Sequence, residues 1–345
     1  MMITSTPFNR FETMRQHVAE LQRGITRAQT ETTTGRLADP VAGLGEGNAT
    51  RIAFEADSDR LMTIANANTR IAGRLSATQA ALDAFRATLD GMTQTFTAAV
   101  GGNVSSALLA GVAEHAVSDM TDKLNTQFGS TFVFGGIATD RVALSDTADA
   151  RVTLETEFQA HFGFPVSDSA VATISADDLA TFLDTVAEPV LTGAAWSADL
   201  AHGSGEAVQA RIDHDQVATV SVTAQEIALR TGFVAAFLVQ ELAQIGLNDG
   251  AMGALASHGL TMASSGAAGV AELQGHVGLM EERLAITNDR ILAEGSSLRQ
   301  SSAAMVAVDP FEAASAFSNL VSQLETAYTL TGRLQQLSLM RFIGP

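Results

Sequence analysis

Leu61, Ile64, Asn68, Ile71, Leu75, Thr78, Leu82, Phe85, Leu89, Met92 and Phe96 recur at alternating steps of three and four. That is the heptad period, which holds one face of a helix against a partner over many turns. The pattern sets a long helix that ends near Gly101-Gly102. A second seam follows far downstream: Val270, Leu273, Val277, Met280, Leu284, Thr287, Ile291, Glu294 and Leu298. Apolar residues at this spacing form internal core in most proteins, and the two long seams read that way. Asn68 and Thr78 are polar seam positions, of the kind that fix register at some cost in stability.

Heptads also mark both termini. Thr6 is placed to cap and Pro7 to take a first helical position. Phe11, Met14, Val18, Leu21, Ile25 and Ala28 then alternate at three and four, until "TTTGRLADP" breaks the helix with β-branched Thr, Gly35 and Pro40. Near the other end Asp309 reads as an N-cap, Pro310 as the first helical residue and Glu312 as the closing acid of a capping box. Phe317, Leu320, Leu324, Ala327, Thr331 and Leu334 carry the stripe of that helix. The chain finishes "LQQLSLMRFIGP", with Leu334, Leu337, Leu339, Met340, Phe342 and Ile343 crowded together. Chain ends are usually polar and frayed, so an apolar tail is expected to stay ordered only by docking on something. The terminal stripes have no other partner of matching length, so the two ends must meet.

Between the seams the pattern changes. "VAGLGEGNA" reads as a Gly-rich hinge. A helix runs from Ser105 to Phe128, with Leu109, Val112, Ala116, Met120 and Leu124 on one face. In "FGSTFVFGGIATDRVAL", Phe132 and Phe134 alternate with Val133 before Gly135-Gly136, the mark of a hairpin. From there to about Val222 the heptads vanish. "ARVTLETEF" and "QVATVSV" read as strands. Ser175 with Asp178 makes a capping box for "ADDLATFLDTVA", and Thr223 with Glu226 makes another before "IALRTGFVAAFLVQELAQI". The expected fold is mainly α: long antiparallel heptad helices from both termini form a bundle, with a central α+β insert domain. The expected divisions are a terminal coiled coil (1–40 with 305–345), a central bundle (41–136 with 223–304) and an outward insert (137–222).

Composition limits the function. The chain has 38 acidic and 20 basic residues and a formal net charge of −18. Nucleic-acid backbones and anionic lipid surfaces both need a basic footprint, so neither is an expected partner. Cysteine is absent, which removes thiol chemistry and Cys-ligated metal. The first residues, "MMITSTPFNRFETMRQ", show no apolar core or cleavage pattern of a signal peptide. The most apolar window, "GFVAAFLVQELAQIGL", is too short to span a bilayer. Seven His are scattered without a metal-binding spacing. "IDHDQ" gathers Asp213, His214 and Asp215, which a turn can bring onto a metal, but a polar turn between strands is the favoured reading. "HGSGE" lacks the spacing of a nucleophile elbow. No catalytic, cofactor-binding or metal residue is assigned, and the chain is not expected to be an enzyme.

Three stretches carry a resemblance. "ITRAQTETTTGRLADPVAG" is similar to the N-terminal stretch of bacterial flagellins and hook-associated proteins, where a heptad helix ends in a Ser/Thr-Gly-Lys/Arg step. "STFVFGGIATDRVAL" resembles the Phe-x-Gly-x-x-Thr-Asp hairpin of the hook–filament junction branch, here Phe134, Gly136, Thr139 and Asp140. "VDPFEAASAFSNLVSQLETAYTLTGRLQQLSLMRFI" resembles that family's C-terminal helix, closing on Ser338-Leu339-Met340-Arg341-Phe342. The chain departs in having Ala38-Asp39-Pro40 where Asp-Asp-Pro is common, and in adding Ile343-Gly344-Pro345. The resemblance implies a structural subunit of the flagellum that adapts other hook-associated proteins to the filament. A filament flagellin is the alternative within the family, and an intracellular coiled-coil scaffold the alternative outside it. The implied partners are other copies in a ring or helical assembly, another hook-associated protein, flagellin and an export chaperone. The implied route is the flagellar export channel, leading to the extracellular flagellum. Phe11, Met14, Val18, Leu21, Ile25, Leu320, Leu324, Leu334, Leu337 and Leu339 are the expected assembly residues.

Overall fold

Gly35 ends the first helix by turning left-handed, with φ 64°, a conformation a Cβ would disfavour. The computed structural model describes residues 7–343, and side chains from 12 to 333. Its residues fall into two compact units, one lying up to Met62 and from Leu292 onward, the other running from Thr63 to Ile291. Helix α3 (Gly47–Val100) and helix α9 (Asp249–Met305) contribute to both.

The first unit begins with α1 (Pro7–Thr34) and ends with α10 (Pro310–Ile343). Where α1 stops, an isolated bridge joins Arg36 to Ala307. Leu37 N–H donates to the Val306 carbonyl at 2.8 Å, and Val308 N–H donates to Gly35 at 2.9 Å. The stretch expected as a hinge is a short helix, α2 (Pro40–Leu44), followed by a turn at Gly45. Asp39 caps it, accepting from the Val41 and Ala42 N–H groups at 3.1 Å. Pro40 takes the first position, where its missing N–H costs nothing. Asp309 does the same for α10, accepting from Phe311 N–H at 2.8 Å.

Helices α3 and α9 are antiparallel. In the first unit Ser58 meets Gly295. In the second, Gln274 donates to Asp83. The expected seams are the buried faces: Leu75, Leu82, Phe85, Leu89, Met92 and Phe96 of α3 are at most 2% exposed, and Val270, Val277, Leu284 and Ile291 of α9 at most 3%. The α9 seam changes step at its C-terminal end, where Glu294 is exposed and Gly295 is buried. Asn68 is buried, but it bonds across to the Ile212 carbonyl at 2.8 Å rather than to a facing seam residue. Thr78 donates back to Arg74 of its own helix.

The second unit adds α4 (Ser106–Leu124), the β1–β2 hairpin (Gln127–Phe128, Thr131–Phe132), α5 (Ala148–Phe162), α6 (Ala176–Phe182) and α7 (Glu188–Thr192). The β3–β4 hairpin (Gln209–Arg211, Val217–Thr219) and α8 (Ile227–Leu242) complete it. Both strand pairs are antiparallel. Helix α8 is buried nearly all round, with Phe233 to Val239 at most 1% exposed. It reaches α9 at Gly232 and Gly266, where a Cβ on Gly266 would stand 2.8 Å from the Gly232 Cα. Only paired glycines allow that approach.

Several local expectations need correction. "ARVTLETEF" is helix, not strand: Ala150, Leu154 and Phe158 form a buried face of α5 at a four-residue step, and left-handed Gly163 closes it. The first hairpin turns earlier than expected, so Val133 and Phe134 are core residues beyond it. The Ser175–Asp178 box forms, with Asp178 N–H donating to Ser175 Oγ at 3.1 Å. The Thr223–Glu226 box does not. Thr223 Oγ1 instead accepts from Gln225 N–H, and α8 starts after Glu226.

The region 137–222 combines helices with one small hairpin, as the α+β reading expects. Its Phe158, Phe182 and Trp196 belong to the same buried cluster as Phe85, Met120 and Phe237. Trp196 is fully buried, donates Nε1–H to the Ala224 carbonyl at 3.1 Å, and meets Phe233 edge-on at 5.6 Å.

Candidate assembly surface

The terminal helices pair through the seam their sequences set out. On α1, Leu21 and Ala28 are buried, while Met14, Val18 and Ile25 are half-buried. On α10, Ala313 and Ala327 are buried, and Phe317, Leu320, Leu324 and Thr331 half-buried. Gly24 makes room for Leu320, whose Cδ1 would lie 3.3 Å from an added Cβ. Gln22 Nε2 donates to the Tyr328 hydroxyl at 2.9 Å. Phe11, Leu334, Leu337 and Leu339 have side chains outside the described residues.

This pair differs in kind from the second unit. The large buried cluster extends from Leu75 to Leu284 and takes no described residue from the first unit. Two paired helices bury only one stripe each, and most helical stability comes from packing. Outward from the seam, α10 presents Phe311, 89% exposed, with Leu330 about half exposed. An aromatic held in water at a capped helix start contributes nothing to the fold of its own chain.

Where α3 and α9 meet in this unit the contact is polar. Ser58 is fully buried; its Oγ donates to the Gly295 carbonyl at 3.1 Å and accepts from Arg299 Nε at 2.8 Å. Ser302 Oγ donates to Glu55 at 3.0 Å, and Arg51 pairs with the same carboxylate at 2.6 Å. Those bonds, Ser302 first, hold the Glu55 carboxyl below its ordinary range.

The other sequence candidates fall elsewhere. Asp213, His214 and Asp215 form the turn between β3 and β4; Asp213 pairs with Arg290 of α9, while His214 Nε2 lies 3.9 Å from Asp215. Among the described residues, the one group that brings three metal-ligating side chains together is Asp184, Glu188 and His258. Nothing in the sequence spacing marks it, because His258 is supplied by a different helix.

Comparison with known families accounts for this architecture. The model of the bacterial flagellin N-terminal helical region matches residues 10–139, and that of the bacterial flagellin C-terminal helical region matches residues 260–343. A solved chain from Vibrio parahaemolyticus, assigned as a flagellar hook-associated protein, shares the fold at 12% identity and a TM-score of 0.52, covering 76% of this chain and 98% of its own. No curated protein matches. The chain belongs to the bacterial flagellin family and is a structural component of the extracellular flagellum. Among the described residues, no helix is long and apolar enough to cross a membrane.

Proposed function

We propose that the chain is the subunit joining other hook-associated proteins to the flagellin filament. The observation that supports this is the half-buried α1–α10 seam beside exposed Phe311, a surface left for neighbouring copies to complete. Met14, Val18, Leu21, Ile25, Leu320 and Leu324 set the pair, and the sequence pattern alone assigns Phe11, Leu334, Leu337 and Leu339 to the same assembly role. The partners are further copies in a ring or helical array, a second hook-associated protein and flagellin. An export chaperone covers the apolar ends before the unfolded chain passes through the export channel. The Phe134-x-Gly136-x-x-Thr139-Asp140 motif favours this adaptor role over the filament itself.

Deletion in the native host tests the reading. Loss of a junction subunit leaves hooks in place while flagellin monomers are shed into the medium. If this chain is instead the filament subunit, the deletion leaves hooks and no shed flagellin.

A further inference from the structure

Asp184 and Glu188 stand four residues apart where the π-turn Leu183–Ala187 runs into α7. π-turns inside helices occur frequently at functional sites. Both carboxylates face His258 of α9 along a cleft of about 720 Å³ that Ala176, Thr192 and Thr261 also line. His258 Nδ1 lies 2.9 Å from Asp184 Oδ1, and Nε2 lies 3.2 Å from Glu188 Oε2. The His258 side chain is 10% exposed, Glu188 35% and Asp184 65%.

Asp184 Oδ1, at 2.9 Å, is placed to accept from Nδ1–H, and a ring that donates there has its other nitrogen, Nε2, as a ligand atom. That atom is buried and has no hydrogen-bond partner. Glu188 Oε2 is close, but it does not sit where an N–H on Nε2 would point. Two electron-rich atoms at this separation repel unless something positive lies between them. A tetrahedral zinc, with bonds near 2.0–2.1 Å, places its ligand atoms about 3.3 Å apart and each off the other's lone-pair axis. The observed separation and misalignment match that arrangement.

We infer that Asp184, Glu188 and His258 form a divalent transition-metal site, with His258 Nε2 and Glu188 as ligands and Asp184 holding the ring. A carboxylate on the far ring nitrogen is the usual orienting partner of a metal-bound histidine. The remaining coordination positions open to the cleft and take water. A bound ion ties the Leu183–Thr192 segment to α9.

The full-length protein, stripped with a chelator and titrated with Zn²⁺ by calorimetry, decides the matter. The expected result is one ion per chain, with binding about ten- to a hundredfold weaker in Asp184→Asn. His258→Gln and Glu188→Gln lose the stoichiometric site, while His214→Gln keeps it. Co²⁺ in place of Zn²⁺ gives a visible absorption band that His258→Gln abolishes. If His258→Gln fails to fold, the partly exposed Glu188→Gln carries the test. No stoichiometric uptake by the wild type, or uptake unchanged in Glu188→Gln, overturns the site. So does nitrogen NMR showing both His258 ring nitrogens protonated in the presence of zinc, since the ring would then be a bridge between two carboxylates.

Discussion

The Ser58 hydroxyl donates to the carbonyl of Gly295, joining α3 to α9 at a fully buried position. The same oxygen accepts from Arg299, so one hydroxyl serves two groups of the facing helix. Ser58→Ala removes both bonds and leaves the Arg299 Nε without this acceptor. The cost should be about 1–3 kcal/mol, the penalty for stranding a buried polar group. Urea unfolding followed by hydrogen exchange in α3 and the C-terminal part of α9 measures it; unchanged stability would mean water replaces the hydroxyl.

Stability of the first unit should depend on pH through Glu55. Its carboxyl is held below the ordinary value by Ser302 and Arg51 in the folded state. A depressed folded pKa gives stability that is present above the unfolded value and lost as pH falls through the folded one. Asp119 acts in the same direction in the second unit, held down by the Thr88 hydroxyl at 2.5 Å and by Lys123. Urea midpoints measured across the acid range should therefore fall less steeply in Glu55→Gln and in Asp119→Asn than in the wild type. Identical slopes would remove both groups from the account.

The segment 137–222 should not be removable without loss. Trp196, Phe182 and Phe158 share one cluster with α3, α4 and α8, and a Gly/Ser linker in their place would leave α8 facing water. Trp196→Ala alone should cost about 3–5 kcal/mol. As the single tryptophan, Trp196 also reports directly: its emission should shift to the red in one transition with the circular dichroism of the second unit. A linker variant that stays soluble, helical and cooperative would show that this segment has a core of its own.

Much of the architecture was legible because heptads are a long, redundant signal. Every seam position from Leu75 to Phe96 is buried. Caps that act over two or three residues, such as Ser175 and Asp309, were equally legible, whereas the Asp39 cap was missed because Pro40 reads as a breaker of the helix before it as readily as the first residue of a short helix after it. The strand reading of "ARVTLETEF" failed because Val152, Thr153 and Thr156 favour strands by shape. The four-residue step of Ala150, Leu154 and Phe158 is the signal that prevails, because it buries one face. Region 137–222 looked separate because it lacks heptads, yet a shared core is a matter of contacts distant in sequence, which periodicity does not report. The group of Asp184, Glu188 and His258 was hidden for the same reason.

Phe311 separates folding from assembly. It is almost fully exposed, so Phe311→Ser should change the stability of the free chain by no more than about 0.5 kcal/mol. The same change should reduce incorporation into flagella and motility if neighbouring copies cover this ring. A variant with normal folding and normal motility would leave Phe311 without a role in contact.

Hydrogen exchange on the free chain, compared with the chain in assembled flagella, tests the central claim that the α1–α10 pair is completed by neighbours. In the free chain, amides of residues 12–34 and 310–333 should exchange far faster than those of α8, because only one half-buried seam holds them. Assembly should slow them to the level of the buried core. Protection in the free monomer equal to that of α8, with no gain on assembly, would contradict the account and make the terminal pair ordinary intramolecular core.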